Sequence, residues 1–454
     1  MASLAERAGL DSATRREQVK QLLSRLAAEE VRYVRIAFPD LLGVLRGRMV
    51  RADRLESLVE AGLSFGCRLL LTDLIGNVHP SVRLGDTYDY GNFYLLPDPT
   101  TFTPLPWSPG AGLILADPYL PDGQPAVSSR LLLKRAVKQA AQEGLSLKIG
   151  FEVESSVYPI AEVPPLSERR HLFTTVGQGL AAPVFVPLWD MLGQMDLGLE
   201  AYANEFAAGE FEFNLSPKVA LEAADQFLLL KLAAREILNA AGYGITFMAM
   251  ADNEHEGMTS GLHIHQAGLD AAGHNCFADP QAEFGLSQTL LHYVGGQLTH
   301  ARQLAVLSTP TITGYRRYRP GTWAPTSITW SLDNRTTMLR VMPDRGLATR
   351  VENRLADAAA NVHLAVAAMA VAGVDGIRRE IDPGPPRTGD AATSGVALPR
   401  NLWEAIQCLA EPSPVIDFLG TAFVMAYRGL LLQTAERFEA HVTDWEIAEY
   451  RGIL

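Results

Sequence analysis

Glu152 and Glu154 stand two residues apart in the segment Gly150-Phe-Glu-Val-Glu154. Side chains alternate faces along a strand, so residues i and i+2 point the same way. Phe151, Val153 and Val157 give this segment the apolar partners a strand needs. Two carboxylates side by side on one face repel each other unless a cation neutralises them. The same spacing returns in Glu210-Phe-Glu212, in His263-Ile-His265 and in Arg350-Val-Glu352-Asn-Arg354. Segments far apart in the chain thus present charged or imidazole groups at strand spacing. Together they read as one metal-rich, anion-handling active site.

A chain of 454 residues, 48% of them hydrophobic, can bury a large core and exceeds one ordinary domain. The net charge of -12 argues against nucleic acid or an anionic membrane as the main partner. An acidic protein that takes an anionic substrate needs metal ions and local arginines. Cys67, Cys276 and Cys408 contain no close pair, so neither a disulfide framework nor a thiolate metal motif is expected. The first residues lack the apolar stretch of a signal peptide, and the apolar run from His363 to Val374 is too short for a bilayer. The expectation is a soluble, cytoplasmic protein.

Ser12 to Glu29 reads as an amphipathic helix with Val19, Leu22, Leu23 and Leu26 on one face and Ser12 as its cap. Val34, Ile36 and Phe38 then alternate up to a turn at Pro39-Asp40, and Val44, Leu45 and Met49 follow. Strands are expected at Asn92–Leu96 and Leu113–Asp117, and the Pro/Gly/Asp-rich run from Asp117 to Pro125 marks a boundary. Beyond it, Ser129 is read as the cap of a helix that ends at Gly144. Residues 1–120 therefore read as a smaller, mostly β unit with a leading helix, and residues 121–454 as a larger α+β unit. Ile381 to Leu398 is read as an exposed, mobile loop; Thr443 with Glu446 as a capping box; Trp445 and Ile447 as packed.

Glu152, Glu154, Glu205, Glu212 and Glu352, with His263, form a ligand set rich in carboxylate. Hard oxygen donors favour Mg²⁺ or Mn²⁺, whereas zinc prefers more His or Cys. Any one of these glutamates alone is better read as a solvated surface charge. An inward Glu-x-Glu pair in apolar surroundings is not, because it is costly unpaired. The basic set comprises Arg316, Arg317 and Arg319 beside a Pro-Gly turn, Arg335 and Arg340 near a strand-like stretch from Thr336 to Val341, and Arg350 and Arg354 flanking Glu352. That pattern suits capture of phosphate or carboxylate beside a metal; a surface salt-bridge ladder is the commoner use of Arg-x-Glu-x-Arg. No phosphate-binding Gly-Lys-Ser/Thr loop or nucleophile elbow occurs, and Gly177-Gln-Gly179 is only a stub of a dinucleotide turn.

In order and over nearly the whole chain, these segments resemble the glutamine synthetase family. Asp40 with Gly43 and Arg46-Gly47 resembles its Asp-x-x-Gly latch; Glu152 and Glu154 its Gly-x-Glu-x-Glu strand; Glu205 to Glu212 its Glu-x-x-x-Gly-Gln-x-Glu stretch, with Glu210 in place of the glutamine. Ser260 to His265 resembles Ser-Gly-Met-His-x-His, and Arg350, Glu352 and Arg354 match Arg-Arg-x-Glu-x-Arg. The resemblance implies an α+β fold with a small N-terminal β-grasp domain and a large catalytic domain. It implies ATP as co-substrate, one divalent ion on Glu154, Glu205 and Glu212, and a second on Glu152, His263 and Glu352. His265, Arg340 and Arg350 would meet the nucleotide phosphates, Arg317 and Arg354 the substrate carboxylate, and Arg335 the phosphoryl group in transit. Asp40, reaching a neighbouring subunit, would take up the proton of the attacking amine, with Glu205 beside it. Two stacked hexameric rings with inter-subunit sites follow from the same resemblance.

Departures bear on the substrate. Glutamine-forming members carry a flap glutamate where this chain has Trp323, and an expected upstream tyrosine has only Phe173 and Phe185 as candidates. Losing a carboxylate and gaining an indole favours an amine bulkier than ammonia; Trp323 as a packing residue is the alternative. Met258-Thr259 replaces the family's Asn-Gly, and the loop from Pro383 to Arg400 holds no tyrosine for adenylylation. The expectation is a ligase joining L-glutamate to an organic amine. A true glutamine synthetase and a non-catalytic, nitrogen-sensing relative are the alternatives.

Overall fold

The computed structural model describes residues 2–78, 91–167, 169–251, 259–392 and 395–454. Near the N-terminus the Ser12 side chain accepts the Arg15 N–H and caps the helix Ala13–Ala28, which buries Leu22 and Leu26. A mixed sheet follows: β1 (Tyr33–Pro39), β2 (Leu45–Arg51), β3 (Leu63–Gly66), β4 (Asn92–Pro97), β5 (Thr103–Pro104) and β6 (Ala111–Tyr119). Its order is β2-β1-β6-β4-β3, with β5 also on β6. β1 and β6 run parallel, and β1 and β2 form a hairpin in which Pro39 faces Leu45. Val34, Ile36 and Phe38 all point into the core, as their alternation predicts.

The second sheet carries β7 (Ser146–Pro159), β8 (Leu199–Asn204), β9 (Glu210–Val219), β10 (Tyr243–Thr246) and β11 (Leu262–Leu269). After the short β12 (Ser327–Ile328) it adds β13 (Trp330–Leu332), β14 (Leu339–Val341) and β15 (Val351–Asn353). The order is β13-β14-β15-β11-β7-β9-β8, with β10 also on β7. Phe151 and Val153 are buried, Phe151 against Phe227 of the helix Ala220–Ala240 at 5.1 Å between rings. The alternation then sends Glu152 and Glu154 to the opposite face. The run around His363 is the interior helix Val362–Arg378, and among the described residues no helix is long and apolar enough to cross a membrane.

One buried ion network ties the first sheet to helices that follow it in the chain. Arg130 donates to Asp117 of β6 at 3.1 Å, to Asp98 at 3.1 Å and to both oxygens of Asp225 at 2.9 and 2.7 Å. Asp225 belongs to the helix Ala220–Ala240 and also bonds His363 Nε2 at 2.8 Å.

Several local expectations shift. The cap of the helix Ser129–Gln142 is Ser128, whose hydroxyl accepts the Leu131 N–H, so Ser129 is already helical. Gly177 and Gly179 lie inside the helix Thr175–Gln194 rather than in a nucleotide-binding turn. Thr443 and Glu446 do form a capping box, yet Trp445 is 64% exposed and meets only Tyr450 edge-on. The 381–398 stretch is anchored over its neighbours: the Arg387 N–H donates to the Trp330 carbonyl and β16 (Val396–Ala397) pairs with β12. Strand structure near Arg340 covers only β14; Thr336 to Met338 precede it in a turn.

Candidate active site

Strand register assembles the site. On β14, β15, β11, β7 and β9, one row across the face reads Arg340, Glu352, His265. The next runs through His263 and Glu152, and a third through Glu154 and Glu212. Arg354 follows β15 directly, and Glu205 follows β8 with its N–H on the Glu210 carbonyl. Seven polar side chains therefore meet because five strands hold their pairing.

His263 Nδ1 lies 2.7 Å from Glu152 Oε1 and 3.4 Å from Glu352 Oε1. Ligand atoms of Glu152, His263 and Glu352 fall within 4.8 Å of one another, which suits a single cation. Glu154, Glu205 and Glu212 line the same cavity of about 320 Å³ with Glu152 and His263. Glu352 sits between two guanidiniums, as the Arg-x-Glu-x-Arg spacing suggests, but with one exchanged. Arg354 and Arg340 hold it, Arg340 at 3.0 Å, while Arg350 turns away to Asp344 at 3.0 Å. Arg350 lies at the strand's outer end, where the loop carboxylate is nearer; Asp333 likewise binds Arg340 from a loop. Neither aspartate is signalled by the sequence spacing.

Electrostatics divide the carboxylates into two groups. Burial opposes ionisation of Glu152 and Glu352, but His263 beside the first and Arg354 and His263 beside the second outweigh it. Glu352 is held down at about 2 and Glu152 below the usual range. Glu205, Glu210 and Glu212 have no such partners. Burial first, then the neighbouring carboxylates, push Glu205 up to about 7 and Glu210 and Glu212 to about 9. Carboxylates crowded in this way are the environment a divalent cation relieves, and an oxygen-rich donor set fits Mg²⁺ or Mn²⁺. Gly261 completes the cradle. Its N–H donates to Glu154 Oε2, and a Cβ there would lie 3.1 Å from Arg317 Nη2 and 3.2 Å from both Glu154 Oε2 and His263 Nε2. Gly261→Ala should therefore lower kcat/KM by about tenfold, by displacing groups a few tenths of an ångström, with Tm unchanged. Steady-state kinetics beside a melting curve checks this; a fall in Tm with kinetics intact would overturn it.

The remaining expected residues scatter more. Arg317 is buried, its fork fixed on the Leu355 and Arg354 carbonyls at 3.3 and 3.2 Å. Arg354 reaches the Trp323 carbonyl at 3.3 Å, so the flap backbone is tied to the site while the indole is 52% exposed. Arg335 is exposed at the cavity wall. Among the described residues, buried His265 Nδ1, Arg354 Nε and Ser260 Oγ have no hydrogen-bond partner. Asp40 is not among the cavity's lining residues. Its carboxylate accepts the Leu42 and Val44 N–H groups and Arg46 Nε, each at 2.9 Å, while burial raises its pKa. Of the two upstream phenylalanines, Phe173 lines the cavity and Phe185 is buried against Phe211 and Phe213. Phe206, which motif reading passes over, lines it as well; its only signal was its place beside Glu205. Met258 lies outside the described residues.

The family model "Glutamine synthetase, catalytic domain" matches residues 126–450. The chain belongs to the glutamine synthetase family. Similar members include a γ-glutamylethanolamide synthetase of Streptomyces coelicolor, 31% identical over 94% of this chain and 94% of that protein. A glutamine synthetase of Methanosarcina mazei is 30% identical over 96% of this chain and 98% of its own length. A glutamate–isopropylamine ligase of a Pseudomonas species is 27% identical over 97% and 99%. Among solved structures, a GmaS complex with ADP superposes with a TM-score of 0.85 at 28% identity, covering 95% of this chain and 99% of that one. The α+β architecture, with its sheet-rich N-terminal part and large catalytic portion, is thus that of glutamine synthetase relatives.

Proposed function

We propose that this chain is an ATP-dependent ligase joining the γ-carboxylate of L-glutamate to an organic amine through a γ-glutamyl phosphate, with release of ADP and phosphate. One observation carries the choice of amine: Phe173, Phe206 and Trp323 line the wall of the carboxylate-rich cavity. Ammonia has no use for three aromatic faces, whereas an alkyl or aryl ammonium gains both apolar contact and π attraction there. Likeness to a γ-glutamylethanolamide synthetase and a glutamate–isopropylamine ligase supports the same reading.

In this reading Glu154, Glu205 and Glu212 hold one divalent ion, and Glu152, His263 and Glu352 the other. Bound there, such ions neutralise the phosphates so that two anions can meet. Arg317, its fork fixed by backbone carbonyls, and Arg354, held by the Glu352 carboxylate and the Trp323 carbonyl, grip the substrate carboxylate. His265, Arg340 and Arg350 face the nucleotide phosphates, with Arg350 exchanging Asp344 for them. Arg335 swings in from the cavity wall to meet the phosphoryl group in transit. Asp40 of a neighbouring copy accepts the amine proton, beside Glu205. Residues 1–120 form the β-grasp unit and 121–454 the catalytic unit of a cytoplasmic homododecamer. The separation of Asp40 from the cavity within one chain supports sites shared between copies; light scattering tests the assembly, and an active monomer would overturn it.

The deciding experiment is phosphate release from ATP with L-glutamate and Mg²⁺ across ammonia, alkylamines, ethanolamine, polyamines and aniline, each amide confirmed by mass spectrometry. An organic amine should be preferred. Trp323→Glu should move the ratio of ammonia to organic-amine turnover by about tenfold or more toward ammonia; an unchanged ratio would make Trp323 a packing residue. One observation favours glutamine synthesis as the second reading: Glu210 adds a carboxylate to the cavity where the family has glutamine. Turnover with ammonia alone would decide for it.

A further inference from the structure

A second cavity, of about 290 Å³, lies between the loop that follows Asp40 and the helix Ala220–Ala240. Leu42, Val44, Leu228, Leu232 and Phe247 make its walls mostly apolar. Among the described residues, the charged groups on its lining are both cations, Lys231 and Arg235. Lys231 Nζ donates to the Ala358 carbonyl at 2.8 Å and lies over the rings of Phe227 and Phe247, 5.4 and 4.9 Å from their centres. An ammonium has three protons, and one carbonyl leaves two to be satisfied. Burial is severe enough to lower its pKa to about 7. A packing role is better served by Met or Leu, which carry no desolvation cost. We propose that this cavity binds a small organic carboxylate with an apolar body, paired with Lys231 and sensed at both Asp40 and Arg317.

Two contacts link the cavity to the site. Lys231 and Arg317 both act electrostatically on Asp357, a fully buried carboxylate also held by the Ala359 N–H and the Thr311 side chain. An anion on Lys231 alters the field at Asp357 and so at Arg317. The cavity wall also includes Leu42 and Val44, whose N–H groups hold the Asp40 carboxylate. An occupant pressing on that loop bears on Asp40, and linkage makes the effect reciprocal.

Calorimetric titration of the full-length protein with butyrate and benzoate, against the neutral butyramide and benzamide, tests this without any turnover. At least one acid should bind saturably. Its affinity should fall tenfold or more in Lys231→Met and in Thr434→Phe, which fills the cavity from the helix Thr421–Glu439. It should survive in Glu154→Gln, which alters only the acidic cavity. Acids binding no better than their amides would overturn the proposal. So would equal affinity in folded Lys231→Met, or loss of binding in Glu154→Gln. If Lys231→Met fails to fold, undiminished binding to Thr434→Phe is the overturning result.

Discussion

Glu154→Gln is expected to lower ATP turnover by about a thousandfold, the several kcal/mol that one lost metal contact represents, while Tm holds or rises. The two halves of this result have one cause. Glu154 shares its cavity with Glu152, Glu205, Glu210 and Glu212, and its charge is among those that push Glu205, Glu210 and Glu212 upward. Removing it relieves repulsion in the folded state. Glutamine keeps an oxygen for the Gly261 N–H, so the β7–β11 junction survives. A residue kept for structure would behave in the opposite way, losing stability and retaining turnover. Phosphate release and a melting curve on the same preparation check both halves. Added Mg²⁺ or Mn²⁺ should stabilise the parent chain far more than the variant, a readout independent of activity. Near-normal turnover would remove Glu154 from the metal set.

How much of this was legible in the sequence depends on what kind of neighbour fixes each residue. Glu152, Glu154, His263 and Glu352 were readable because strand periodicity fixes a face and in-register pairing supplies the rest. The latch hairpin was readable for the same reason, since Pro39-Asp40 ends one alternating run just before another starts. Arg350 was half legible: it lies on the correct face, but the choice between Glu352 and Asp344 rests on a loop whose course no period encodes. Phe206 and Phe173 reach the cavity from irregular backbone, Phe173 with φ at +52°. Trp445 failed for a third reason. An apolar residue in a capped helix predicts burial, but not against which surface, and within one chain its surface is open. Composition marks the run from Asp117 to Pro125 as a candidate boundary. Yet Arg130, just beyond it, reaches back to Asp117, a contact between elements that only the fold brings together.

That contact gives the largest expected effect on stability. Arg130 is 1% exposed and is shared by Asp98, Asp117 and Asp225, which come from the end of β4, from β6 and from the helix Ala220–Ala240. Arg130→Met keeps the volume and deletes the cation. Lys134 still serves Asp98 and Asp117, at 2.9 and 2.6 Å, but Asp225 is left with His363 alone. Breaking one side of a buried network costs about 3–5 kcal/mol, because the carboxylates stay behind unpaired. Differential scanning at fixed protein concentration should show a fall in Tm, since melting of a large chain is read more safely as a midpoint than as an equilibrium constant. The pH dependence has a definite sign. Burial opposes ionisation of Asp225, but Arg130 and His363 outweigh it and hold the carboxyl at about 2, below its ordinary 3.8. A depressed carboxyl stabilises the fold above its unfolded pKa and loses that contribution as the pH falls through the folded value. Without Arg130 the burial of Asp225 dominates and raises its carboxyl in the variant, so the variant sheds its penalty as that carboxyl protonates. The gap between parent and variant should therefore be widest at neutral pH and narrow as the pH falls, beginning above the ordinary 3.8. Adding Asp225→Asn to Arg130→Met should recover part of the loss, since the stranded charge leaves with it. A variant as stable as the parent, or a double variant worse than the single by the full cost of a second lesion, would show that the network is not what joins the first sheet to these helices.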